Sequence, residues 1–251
     1  METRKLDYTV GWICALPTEA VAAAEFLDEE FEGPPEHAHG VVIVLMPSGQ
    51  YGTASAARVA ANLADSFPNI RIGLMVGIGG GVPSQKNDIR LGDVVVSDPQ
   101  TDGLSPVLQY GFGKQVQGMT SSPQLSGLKT WHQRKGHNYD SVIDNIIKCN
   151  KRLNNDFPHP DEAQDCKTVC KPKTYLDTPN QVSRTPRSED DDNPAIHYGR
   201  VASGNQVNEE WQGYAAMTAA AYAKELLCRI TPTQIQEQAQ LKDLINDGKT
   251  R

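Results

Sequence analysis

The chain has 251 residues, with 24 Lys and Arg against 31 Asp and Glu, a formal charge of −7. That balance excludes the basic face on which nucleic-acid binding depends, while the length suffices for one large domain with a true core. No apolar run reaches the ~20 residues that cross a bilayer, and residues 1–8 lack the apolar stretch of a signal peptide, so no membrane association is expected. From the amino end, residues 8–16 (YTVGWICAL) read as a short, buried strand. Pro17 and Thr18 open a helix over 18–30, Pro being suited to a first turn that needs no N–H from it, and the Ala, Glu and Leu that follow are good helix formers. Residues 41–46 are a second apolar strand. After the turn at Ser48-Gly49-Gln50-Tyr51-Gly52, Thr53 starts an Ala-rich helix over 53–66 that Pro68 ends. Residues 72–76 are a third strand, running into Gly77-Ile78-Gly79-Gly80-Gly81, and 91–97 (LGDVVVS) a fourth.

Residues 98–195 are polar and rich in Pro, Asn, Asp and Ser, with a helix expected over 141–153 from the spacing of Val142, Ile143, Ile146 and Ile147. Ser188-Glu189-Asp190-Asp191-Asp192 reads as a solvated acidic loop. Order returns at Ile196, with a strand over 199–203, and an Ala-rich helix spans 213–230. Residues 231–251 read as a polar tail. Strands alternating with helices predict an α/β fold in which the five strands are neighbours in one sheet, with helices packed on it.

The five cysteines, Cys14, Cys149, Cys166, Cys170 and Cys228, are odd in number and lack framework spacing. They read as reduced thiols in the cytoplasm or nucleus. Cys166 and Cys170 near His159 lack a second ligand pair, so no metal is expected. The Gly79, Gly80 and Gly81 run follows a strand, where an open parallel sheet places its ligand crevice. Glycines there admit a ligand to the backbone and expose N–H donors, although a tight turn alone would use the same residues. Glu19, in a first helical turn, either complements the helix dipole or does chemistry. Asp93 reads as a strand-end or turn residue. His197 reads as structural, since no Ser or Cys partner forms a triad with it. Ser203, Asn205 and Gln206, at a strand end, carry groups that can hydrogen-bond a base edge, although in isolation the segment reads as an ordinary turn.

The order of the segments GWICALPTEA, PSGQYGTASAA, GLMVGIGGGVP, DIRLGDVVVS, IHYGRVASGNQV and WQGYAAMTAAAYAKELL resembles fungal nucleoside phosphorylase-domain proteins. These belong to the purine nucleoside phosphorylase, uridine phosphorylase and methylthioadenosine nucleosidase superfamily. In that group the domain occurs alone or at the front of larger NLR-like proteins. The match covers residues 8–114 and 196–230 and is loose between them. It implies a three-layer α/β/α sandwich, phosphorylase/hydrolase-like, around a mixed and mostly parallel sheet. Residues 1–230 would be one domain, with 98–195 as a variable insert, often assembling as a homo-oligomer. It also implies cleavage of a nucleoside's N-glycosidic bond by water or by phosphate as co-substrate, with no other cofactor. Glu19 falls where nucleosidases carry the acid that orients attacking water. Gly79, Gly80 and Gly81 match the turn beside nucleophile and ribose. Ser203, Asn205, Gln206 and Val207 match the segment lying along the base.

The chain departs from that pattern at one place. Related proteins have several tens of residues between the segments ending at Val207 and beginning at Trp211; here only Asn208, Glu209 and Glu210 intervene. The family's ribose-clamping Glu and base-protonating Asp have no matching positions, and loss of general-acid help typically costs 10²–10⁴ in rate. A decayed gene, a skipped exon and a non-catalytic binding or signalling module all fit this junction. The chain is therefore expected to cleave purine nucleosides very slowly or not at all.

Overall fold

The computed structural model describes residues 3–27, 39–50, 52–80, 87–98, 107–108, 123–159, 187–188, 191–199, 201–202 and 211–249. Strand β1 (Tyr8–Cys14) lies at the centre of a parallel sheet, between β2 (Gly40–Leu45) and β3 (Ile72–Met75). Trp12 aligns with Ile43 on one side and Leu74 on the other. Helix α1 (Pro17–Phe26) links β1 to β2, and α2 (Thr53–Ser66) links β2 to β3. Parallel neighbours need such crossovers, since a hairpin cannot join them.

Side-chain alternation along β1 divides its residues between two cores. Val10, Trp12 and Cys14 face α1, with Ala22, Ala23 and Phe26. Ile13 packs on the opposite side with Val59 and Leu63 of α2, Met46 and Ile70. Helices thus lie on both faces of this sheet, which explains why residues 10–14 are a continuous apolar run rather than an alternating one.

The larger core is organised by α5 (Gln212–Cys228), which is buried on most of its circumference. Ala216, Met217, Thr218, Ala220, Ala221 and Ala223 are all nearly inaccessible. Small side chains let this helix approach α1 closely, and an all-round buried helix has no polar face to show. Two further helices pack around it. These are α3 (Pro123–Lys135) and α4 (Tyr139–Cys149), which contribute Leu125, Leu128, Tyr139, Ile143 and Ile147. The sequence showed α4, but placed it over 141–153; Asn150 breaks it and leads into a 3-10 turn over Lys151–Leu153. Helix α3 was not foreseen, because only Leu125, Leu128 and His132 mark its inner face. The carboxyl-terminal residues, read as a tail, form α6 (Pro232–Gln236) and α7 (Leu241–Lys249), with Ile235 buried.

The expectation of one five-stranded sheet is corrected. Among the described residues the strands form three separate parallel ladders, the second joining β4 (Val94–Ser97) to β6 (Ile196–Gly199). The third joins β5 (Val107–Leu108) to β7 (Val201–Ala202). The strand expected over 199–203 is thus divided between β6 and β7. Among the described residues β3 pairs with β1 and not with β4. The Leu241 amide donates to the Ile70 carbonyl at 2.8 Å, the Arg71 guanidinium reaches the Gln236 and Gln238 carbonyls, and the Leu241 side chain lies over Gly73. The carboxyl-terminal segment, rather than a strand, flanks the start of β3. The coarser expectation holds: this is an α/β fold with small parallel sheets.

Candidate functional site

Glu19 is on the first turn of α1, just beyond the carboxyl end of β1, and is only 4% exposed. Its Oε2 accepts the backbone N–H groups of Ala15 at 2.6 Å and Leu16 at 2.9 Å. The bond to Leu16 ties the helix back to its own N-cap, as the acidic partner of a capping box does. Oε1 accepts the N–H of Ile78 at 2.7 Å. Ile78 lies three residues beyond the end of β3, so one carboxylate joins the ends of two neighbouring parallel strands. A carboxylate has about four acceptor directions; among the described residues three are taken by the backbone, leaving one on Oε1.

Gly77 makes this approach feasible. A Cβ there would sit 2.5 Å from Glu19 Oε1 and 2.7 Å from Cδ, closer than any side chain tolerates. The sequence reading emphasised Gly79, Gly80 and Gly81, whereas Gly77 is the glycine that admits the carboxylate. Gly79 and Gly80 are exposed beside it. Gly81, Ser203, Asn205, Gln206 and Val207 lie outside the described residues, as does the junction at Asn208, Glu209 and Glu210.

Cys14 ends β1 beside this carboxylate. Burial, aided by the Glu19 charge, pushes its thiol up to about 12. A thiol held neutral is a poor nucleophile.

A second polar centre was not legible as such. Asp93 precedes β4, and its side chain has no exposed surface. Arg187 forks onto it, with Nη1 on Oδ1 at 2.7 Å and Nη2 on Oδ2 at 2.5 Å. His197 Nε2 lies 2.8 Å from Oδ2, the Ala195 N–H donates to Oδ1 at 2.9 Å and the Arg90 N–H to Oδ2 at 2.8 Å. Burial alone would push the Asp93 carboxyl up. Hydrogen bonds from His197, Arg187 and the two amides outweigh it and hold the group below the usual carboxylate range.

Position decides between these centres. Asp93 and Ala195 precede β4 and β6, at the amino ends of parallel strands. Glu19 and Ile78 lie beyond the carboxyl ends of β1 and β3, the side on which open α/β sheets bind ligands. The Asp93 centre is therefore a clamp, consistent with a structural His197, and Glu19 is the candidate site residue. A third group joins the helices: Glu225 takes hydrogen bonds from Tyr139 at 2.8 Å and Arg229 at 2.9 Å, and lies 2.8 Å from His132 Nε2. Among the described residues no group of three or more His, Cys, Asp or Glu is placed to hold a metal, and no helix is long and apolar enough to cross a membrane.

No protein-family model matches the chain. It is similar to a nucleotide-binding leucine-rich repeat (NLR)-like protein of Hyaloscypha variabilis, being 30% identical over 305 aligned residues. The alignment takes in 92% of this chain but 30% of that protein. Because 92% of 251 residues is about 231, the alignment contains roughly 70 more positions than it has residues of this chain. The chain is thus similar to about a third of a fungal NLR-like protein, aligned with substantial gaps on its own side.

Proposed function

We propose that this chain is a purine-nucleoside-binding domain on the nucleoside phosphorylase/nucleosidase plan, descended from enzymes that cleave the N-glycosidic bond and itself nearly inactive. On this reading the domain is a variant of the family's α/β/α sandwich. The observation that carries the reading is the Glu19 carboxylate fixed against the Ile78 N–H at the carboxyl edge of parallel strands, beside exposed Gly79 and Gly80. An anion there can orient water, through the free acceptor on Oε1, toward the anomeric carbon. In the resembled family the matching glycine turn lies beside the nucleophile and ribose, and glycine amides there are free to donate to hydroxyls or phosphate. Cleavage passes through a ribosyl-cation-like state that also needs a ribose clamp and a proton for the departing purine. Asn208, Glu209 and Glu210 are too short a junction for the segment that supplies both in the resembled family.

A specific observation favours a second, purely non-catalytic reading, in which the domain is a signalling module. Three of the four acceptor directions of Glu19 are spent on backbone N–H groups, which makes the residue a strap between strand ends. The two readings separate in one assay. Purified chain is incubated with adenosine, inosine or guanosine, with and without phosphate, and free base is followed by chromatography while binding is followed by calorimetry. Saturable binding with release far below about 1 per second supports the proposal. Absence of binding leaves the signalling module, and ordinary turnover contradicts both.

A further inference from the structure

The acidic turn after residue 187 is absorbed by neither reading, and it borders the Asp93 clamp. We propose that Ser188 is a phosphorylation site for an acid-directed Ser/Thr protein kinase, and that the phosphoryl group releases Arg187 from Asp93. This inference is independent of the proposed nucleoside site. Ser188 is exposed, and every one of the four residues after it is acidic: Glu189, Asp190, Asp191 and Asp192. A kinase with a basic substrate groove reads such a run by charge-assisted pairing, with carboxylates three and four places beyond the acceptor hydroxyl.

What gives the site a consequence is its neighbour. Arg187 forks onto the buried Asp93 and also donates to Asn193 Oδ1 at 3.1 Å, so the clamp spans both ends of the turn. The turn itself is closed by Ser188. Its N–H and hydroxyl donate to Asp191 Oδ2 at 2.8 and 3.0 Å, and the Asp191 N–H returns to the Ser188 carbonyl at 3.1 Å. In the transfer, Ser188 Oγ forms a bond to the terminal phosphorus of ATP as the bond to the ADP oxygen breaks, and the hydroxyl proton passes to the kinase's base. The product lacks the hydroxyl donor and carries a charge of roughly −2 where Asp191 used to accept a bond. Like charge opens the turn, and the dianion competes for the adjacent guanidinium. Both effects draw Arg187 off Asp93 and loosen the amino ends of β4 and β6.

The test incubates the full chain with an acid-directed kinase and Mg-ATP, maps phosphate by fragmentation mass spectrometry, and compares thermal unfolding before and after. Phosphate is expected on Ser188, absent in S188A and incorporated several-fold more slowly in D191N. Tm is expected to fall by roughly 6–20 °C, the scale set by loss of one partner from a buried pair in a chain of this size. In R187A, which already lacks the clamp, phosphorylation should shift Tm far less. Should R187A not fold, hydrogen exchange at the Val94 amide, which donates to the Ala195 carbonyl, should quicken on phosphorylation of the wild type. Phosphate on Thr178, Ser183 or Thr185 with Ser188 unmodified would overturn the site. Ser188 phosphorylation with Tm and Val94 exchange unchanged would overturn its link to Asp93.

Discussion

The Glu19 carboxylate accepts the backbone N–H of Ile78, 59 positions further along the chain, at 2.7 Å. A buried anion satisfied by three amides is costly to alter, because each N–H left without a partner loses about 1–3 kcal/mol. Glu19→Ala is expected to lower unfolding free energy by about 3 kcal/mol or more, measured by urea denaturation. Glu19→Gln should cost less, since one amide oxygen still accepts. Gly77→Ala attacks the same contact from the other side, its new methyl falling 2.5 Å from Oε1. Loss of under about 0.5 kcal/mol in Glu19→Ala, the range of ordinary surface substitutions, would mean the strap does not hold the two strand ends.

The Asp93 clamp sets an acid limb to stability. Its folded-state carboxyl lies below the ordinary range, so it contributes stability that is complete above the unfolded value near ~4. That contribution is lost as pH falls through the depressed folded value. Asp93→Asn should flatten the pH dependence of Tm below about pH 4. Arg187→Ala leaves the carboxylate buried without its main cation and is expected to cost about 3–5 kcal/mol at neutral pH.

Cysteine labelling tests the packing around Glu19. Cys149 and Cys228 are exposed, whereas Cys14 is inaccessible and its thiol is pushed up to about 12. At pH 8 its thiolate fraction is on the order of one in ten thousand. A maleimide reagent followed by peptide mapping should modify Cys149 and Cys228 in the native chain and Cys14 only after unfolding. Native-state labelling of Cys14 at a comparable rate would show that the corner beside Glu19 opens readily.

How much was legible in the sequence differs by residue. Strand β1, helix α2 and the long α5 were visible because apolar runs and Ala-rich spacing report burial directly. The position of Glu19 in a first turn after a strand was legible, but that place alone left a dipole role open, and only the resemblance singled it out. The clamp was not, because Arg187 lies 94 positions from Asp93 inside a polar stretch, and no local period marks a guanidinium that folds back. The role of Gly77 was equally hidden, since only the carboxylate opposite it explains why a Cβ is excluded. The split of the sheet escaped notice for a related reason. Strand patterns give each strand's buried face but not its neighbour, and the segment beside β3 came from residues read as a tail.

Restoring the shortened junction should restore chemistry. A segment from the NLR-like relative, inserted between Val207 and Trp211, is expected to raise free-base release by about 10²–10⁴ by returning general-acid help. In that restored chain Glu19→Gln should reduce hydrolysis far more than nucleoside binding. An equal loss of both would make Glu19 a binding or structural residue only. No gain from the insertion, in a protein shown to be folded, would remove the junction as the cause of inactivity.

The most direct measurement is an NMR titration of the isotopically labelled chain with adenosine, inosine and guanosine. Saturable shifts are expected at the backbone amides of Ile78, Gly79 and Gly80, with the Val94 amide at the clamp unmoved. Nucleosides that shift no amide at millimolar concentration, or that shift only residues away from the turn beside Glu19, would contradict the assignment of this corner as the nucleoside site.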